Sequence, residues 1–151
     1  MQFEELDDLY QDIILDHYRS PRNSAKLEAP HLKAEGNNPF CGDEVAVQIS
    51  FDDTDHVREV GYQGRGCSIS QASASIMGEL LKGKTLKEIQ AIHRIFLDVI
   101  YGKDTGDSSL EDLGDLQVLK GVRKFPIRIK CALLPWSILE DGIKEYDSNL
   151  Q

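Results

Sequence analysis

Cysteine is scarce in this chain, and what there is cannot pair off. Three thiols in 151 residues leave no disulfide framework, and a domain of this length buries a core without one. The intervals, 26 residues from Cys41 to Cys67 and 64 from Cys67 to Cys131, are far too long for a zinc ribbon or finger. Any site the three share must be assembled by the fold. Positive charge is short as well. With 17 basic against 26 acidic residues and a formal charge of −9, a generic nucleic-acid surface is excluded and docking to a basic partner is favoured. No apolar run approaches the roughly 20 residues of a membrane span. The start, Met1-Gln2-Phe3-Glu4-Glu5, lacks the basic-then-apolar order of a secretory signal. Together with an odd thiol count, this predicts a cytoplasmic protein with no membrane and no nucleic-acid partner. None of His17, His31, His56 and His93 has a ligand-like spacing with another histidine. The acidic stretch from Asp98 to Asp115 lacks the EF-hand order, and no Gly-x-Ser-x-Gly elbow surrounds Ser68 to Ser75.

What is present sorts by period. Phe3, Leu6, Tyr10, Ile13, Ile14 and His17 recur at helical spacing, and Pro21 ends that helix. Val45, Val47, Ile49 and Phe51 alternate with Ala46, Gln48 and Ser50, the pattern of a strand buried on one face. Asp52 to Asp55 supply a turn, and Val57, Val60 and Tyr62 mark a second strand, so a hairpin is expected. Small residues from Ser68 to Ser75, then Ile76, Met77, Leu80 and Leu81, read as a closely packed helix ending near Gly83. Thr85-Leu86-Lys87-Glu88 is a capping box opening a helix to about Tyr101. Residues 102 to 115 read as a surface excursion, followed by a short helix over Leu116 to Val122. The last helix starts at Pro126, with a kink expected at Pro135. A third strand falls near Lys33 or Glu35, or before Pro126. The expected architecture is α+β: one domain over 1–151, with a small antiparallel sheet of about three strands packed with helices and a metal site at one end.

The settings of the cysteines carry the chemistry. Cys41 stands in Pro39-Phe40-Cys41-Gly42-Asp43, Cys67 follows Gly64-Arg65-Gly66, and Cys131 follows Arg128-Ile129-Lys130. Three thiolates and one carboxylate, Asp43, give the four ligands of a tetrahedral Zn²⁺ site. Residues at i and i+2 of an extended segment share a face, so Cys41 and Asp43 can reach one metal. Cys67 is expected at a strand-to-helix junction, where unpaired N–H groups favour thiolate. Cys131 fits a core position as readily as a ligand. Such a site carries excess negative charge, and Arg65, Arg128 and Lys130 are the basic residues near two of its members.

Taken in order, these contexts resemble the IscU/NifU N-terminal family of iron–sulfur cluster assembly proteins. Leu9 to Asn23 is similar to the family's first segment, Asn38 to Asp43 to its first ligand loop, and Gly66 to Ser75 to its second. Met77 to Glu88 continues the similarity, which covers nearly the whole chain. Where IscU scaffolds carry a chaperone-binding motif and a histidine before the third cysteine, this chain has Lys124-Phe125-Pro126-Ile127-Arg128-Ile129-Lys130-Cys131. Extra residues fall at about 102–120. Both departures resemble the SufU branch.

That resemblance implies a SufE/NifU-like fold and zinc held by Cys41, Asp43, Cys67 and Cys131. It implies a sulfurtransferase-like role, in which Cys41 accepts sulfane sulfur from a SufS-type cysteine desulfurase for the downstream cluster assembly machinery. Cys41, in a glycine-flanked loop, is then the residue that carries sulfur, with Cys67 and Cys131 as anchors. The alternative is a scaffold that builds a labile [2Fe–2S] cluster, or holds iron, on the same four residues. A further alternative is an interaction domain with structural zinc.

Overall fold

The pleat of the hairpin organises the molecule. In the computed structural model, which describes residues 8–38, 42–103 and 111–149, β2 (Asp43–Phe51) pairs with β3 (Val57–Arg65) in antiparallel register from Glu44 opposite Arg65 to Ile49 opposite Val60. Strand β1 (Leu32–Asn38) adds to the other edge of β2, Leu32 opposite Ile49 and Asn38 opposite Asp43. The sheet is therefore three-stranded, antiparallel and ordered β1-β2-β3. The third strand lies at Lys33 and Glu35 rather than before Pro126. Its apolar signal is weak because small residues face the helix behind it. A Cβ on Gly36 would come 2.9 Å from Ile138, and one on Gly142 would come 2.8 Å from Ala34.

Val45, Val47 and Ile49 point from β2 into the core. Helix α2 (Ser68–Leu81) packs along β3, and the final helix α4 (Pro126–Asn149) packs along β1 and β2 and against α2. Helix α1 (Asp8–Arg19) lies on α2, and α3 (Leu86–Ile100) lies on α4. Thr85 caps α3 as its sequence implies: its Oγ1 accepts the Glu88 N–H at 3.3 Å, while its own N–H donates to Glu88 Oε1 at 3.1 Å. Pro135 lies inside α4, which runs on past it to Asn149.

Two sequence expectations change. Strand β2 is covered on both faces over its second half, with Gln48 and Ser50 buried. The loop between α1 and β1 lies over that outer face, bringing Ala25 and Leu27 onto Gly61. The Gln48 amide nitrogen donates to Gln63 Oε1 at 2.9 Å. Secondly, the stretch before Pro126 is 3₁₀-helical over Glu111–Lys124 and broken at Gly114: the short helix expected over 116–122 is present in its second part, while 111–115, expected as surface excursion, is helical too. Leu113, Leu116 and Leu119 are fully buried within it, so it belongs to the core. Residues 104–110 of the expected excursion, and 3–7 of the expected first helix, lie outside the described residues.

Candidate metal centre

One end of the sheet gathers the C-terminus of β1, the first residue of β2 and the last residue of β3. Asp43 opens β2 with its side chain inward and 0% exposed. Two residues after β3, Cys67 is the N-cap of α2, its backbone extended at φ −73° and ψ 162°. The Cys67 N–H donates to Asp43 Oδ1 at 2.8 Å, and its Sγ lies 3.8 Å from Oδ2. Capping is usually done by an oxygen; here the sulfur accepts the Ser70 N–H at 3.5 Å. Cys131, one turn into α4, is fully buried and brings its Sγ to the same point. The ligand atoms of Asp43, Cys67 and Cys131 all lie within 4.8 Å of one another.

One glycine makes this approach possible. Gly66 has φ +141°, a conformation that side chains rarely adopt, and a Cβ there would fall on the Asp43 carboxylate. The Cys67 thiol is brought down to about 6, chiefly by the hydrogen bond offered by Cys131 and then by the Ser70 N–H, against burial and the Asp43 charge. Helix α4 is fixed to α2 behind the site, where Ser73 Oγ donates to the Ala132 carbonyl at 2.6 Å.

The basic residues separate. Arg128 Nη1 lies 4.0 Å from Cys131 Sγ and faces the site. Arg65 stands opposite Glu44 on the outer face of the sheet and donates to it through Nε at 2.8 Å. Strand alternation turns it away from Asp43, the neighbour of Glu44, and its side chain is 80% exposed. Lys130, exposed and a step around the helix from Cys131, lines a shallow cavity of about 260 Å³ with Asn37, Asn38 and Tyr101. Cys41 lies outside the described residues. Both ends of its segment are described: the Gly42 N–H donates to the Asn38 carbonyl at 2.9 Å.

The donor set suits a cation. Two sulfurs and a carboxylate turned inward together would concentrate negative charge in a partly dry site, which a divalent ion offsets. The serines of α2, readable in sequence as packing residues only, also bind: Ser75 Oγ accepts the Arg22 N–H at 2.9 Å and meets His17 Nδ1 at 2.8 Å. The sequence reading missed Ser70 and Gln71 at the site, for which the N-terminal turn of α2 beside Cys67 was the available signal.

Fold and site define a small α+β domain with a sulfur and carboxylate centre at one end of a three-stranded sheet. The chain belongs to the NifU-like N terminal domain family, whose sequence model matches residues 9–132. It is 45% identical over 145 residues to the zinc-dependent sulfurtransferase SufU of Bacillus subtilis (strain 168), covering 95% of this chain and 96% of that one. It is 35% identical over 144 residues to the iron–sulfur cluster assembly scaffold protein IscU of Streptococcus pyogenes serotype M1, covering 95% and 88%. Among solved structures, a candidate iron–sulfur cluster assembly scaffold protein for the SUF system of Fervidobacterium islandicum AW-1 superposes with a TM-score of 0.80. The two share 32% identity over 94% of this chain and 98% of that one. Among the described residues no helix is long and apolar enough to cross a membrane.

Proposed function

We propose that this protein is a zinc-dependent sulfur acceptor of iron–sulfur cluster assembly, taking sulfur from the persulfide of a SufS-type cysteine desulfurase onto Cys41. The observation that carries the reading is the convergence of Asp43, Cys67 and Cys131 from three separate elements onto one point. Cys41 completes four ligands, and two peptide units limit its distance from Asp43 to roughly 7 Å. Asp43, Cys67 and Cys131, with Cys41, would hold the ion. Bound zinc would keep these sulfurs as thiolates against protonation and oxidation.

In the transfer, the Cys41 thiolate attacks the terminal sulfur of the donor persulfide. A new S–S bond forms on Cys41, the S–S bond of the donor breaks, and the donor cysteine leaves as thiolate. No net oxidant is required, because the sulfane sulfur moves with its oxidation state unchanged. Arg128, 4.0 Å from Cys131 Sγ, would balance the negative charge of the centre. The odd thiol count and thiolate chemistry suit a reducing compartment, and we place the protein in the cytoplasm on that basis. The sulfur would pass on to the downstream cluster assembly machinery.

A desulfurase assay tests the reading: the wild-type chain raises cysteine turnover, and Cys41→Ala does not. Equal stimulation by Cys41→Ala contradicts it. A second reading draws on the IscU relative, with a [2Fe–2S] cluster, or iron, built on the same four residues as cargo. Anaerobic reconstitution separates the two. A stoichiometric cluster passed on to an apo-ferredoxin supports the scaffold; zinc retained at one per chain with no such transfer supports the acceptor.

A further inference from the structure

A line of buried polar side chains runs from the middle of β3 to the sulfur of Cys67, and each member has a defined direction. The Tyr62 hydroxyl, 3.2 Å from the Gln71 carbonyl and 3.3 Å from Gln71 Oε1, donates to Gln71. Burial pushes that phenol up to about 12, so it keeps its proton. Gln71 Nε2 in turn donates to Ser70 Oγ at 3.1 Å. With a lone pair of Ser70 Oγ occupied, its hydrogen goes to the Cys67 carbonyl oxygen 3.2 Å away, while the Cys67 thiol, its Sγ 3.9 Å away, donates back to Ser70 Oγ. The carbonyl already accepts the Gln71 N–H at 3.2 Å. Once the sulfur is a thiolate it becomes the stronger acceptor for the hydroxyl.

The backbone is shaped to admit this line. Gln71 is buried and Ser70 is fully buried, and a Cβ on Gly64 would come 2.9 Å from Gln71 Oε1 and 2.5 Å from the Glu44 carbonyl. Gly64 thus leaves room for the Gln71 amide, as Gly66 leaves room for the Asp43 carboxylate. The sequence Gly64-Arg65-Gly66-Cys67 therefore accommodates two separate partners of one cysteine. Packing alone would need neither the polar atoms nor their head-to-tail order, and a buried amide in an apolar setting is costly unless it is paired.

We propose that Gln71 is a positioning residue: it orients the Ser70 hydroxyl so that Cys67 receives hydrogen bonds from both the Ser70 hydroxyl and the Ser70 N–H and stays fixed as a metal ligand. This rests on the zinc reading above and deepens it by explaining why Cys67 is an anchor and not the sulfur carrier. The relay holds one sulfur still so that exchange is confined to Cys41.

The test loads the full chain with zinc and follows its release to excess chelator for the wild type, Ser70→Ala, Gln71→Met and the double variant. Partners that orient metal ligands change affinity by about 10–100-fold when removed, so each single variant is expected to release zinc at least several-fold faster. Because Gln71 acts through Ser70, the double variant should release zinc no faster than Ser70→Ala alone. Zinc release from Gln71→Met at the wild-type rate, or a double variant whose effect equals the product of the singles, overturns the relay. Circular dichroism and thermal midpoints establish that each variant is folded. Should Gln71→Met fail to fold, Tyr62→Phe removes only a hydroxyl and is expected to give a smaller acceleration that Ser70→Ala again abolishes; no acceleration overturns the relay. A wild-type chain that retains no zinc overturns the metal reading and the relay with it. Zinc retained equally by all the variants overturns the relay alone.

Discussion

The backbone N–H of Cys67 donates to Oδ1 of Asp43 at 2.8 Å, joining residues 24 apart in sequence. The bond ties the start of α2 to the start of β2 and sets both ligand atoms facing Cys131. It exists because nothing stands between them: the intervening residue on the β3 side, Gly66, has no side chain.

Gly66→Ala is therefore expected to expel the Asp43 carboxylate. The added methyl collides with it, and the φ of +141° is strained for alanine. Zinc retention measured by metal analysis after dialysis should fall well below one per chain, while the helical signal of the protein persists. Full retention by this variant would show that Asp43 is not needed at the site.

The thiol pair gives a pH prediction in zinc-free protein. With the Cys67 thiol lowered from the ordinary 9.0 to about 6, one thiolate should be present at pH 7, read as thiolate absorbance in a Cys41→Ala background. A folded value below the unfolded one means this group stabilises the fold above the unfolded value, and that stabilisation is lost as pH falls through about 6. A thiolate signal that appears only near pH 9 would contradict the Cys131 and Ser70 hydrogen bonds to the sulfur.

Most of the architecture was legible because the elements carry their own signals. The capping box at Thr85 and Glu88, the alternation from Val45 to Phe51 and Pro126 at a helix start all appear where the sequence puts them. Strand β1 was barely legible because Ala34 and Gly36 meet α4 through close approach and not through apolar bulk. The burial of Gln48 was hidden for a different reason: a loop distant in sequence lies over it, bringing Ala25 and Leu27 onto Gly61 beside it. At the site, the candidate ligands stood out by their settings. The separation of Arg128 from Arg65 depended on strand alternation relative to Asp43, which a count of sequence neighbours does not register.

That separation predicts different outcomes for two similar substitutions. Arg65→Ala should leave zinc release and the thermal midpoint unchanged, because its ion pair with Glu44 lies in solvent. Arg128→Ala should accelerate zinc release several-fold, because it removes the cation beside Cys131 Sγ. The same release rate for both variants would place Arg128 outside the site.

Away from the centre, His93 is stacked on Trp136 with ring centroids 5.6 Å apart and lies 3.5 Å from Glu140. Burial lowers its pKa from 6.5, against the pull of Glu140. The folded protein then binds fewer protons there than the unfolded chain. This stabilisation is complete above pH 6.5 and is lost as pH falls through the folded value. His93→Phe keeps the ring and should flatten the decline of the thermal midpoint below pH 6.5. A decline of the same steepness would assign it to other groups.

The account turns on which cysteine takes the sulfur. Zinc-loaded protein incubated with a SufS-type desulfurase and cysteine, then alkylated and mapped by mass spectrometry, answers this directly. The account predicts one added sulfur atom on the peptide bearing Cys41, with the peptides of Cys67 and Cys131 unmodified. Added sulfur on Cys67 or Cys131, or none on Cys41, would contradict it.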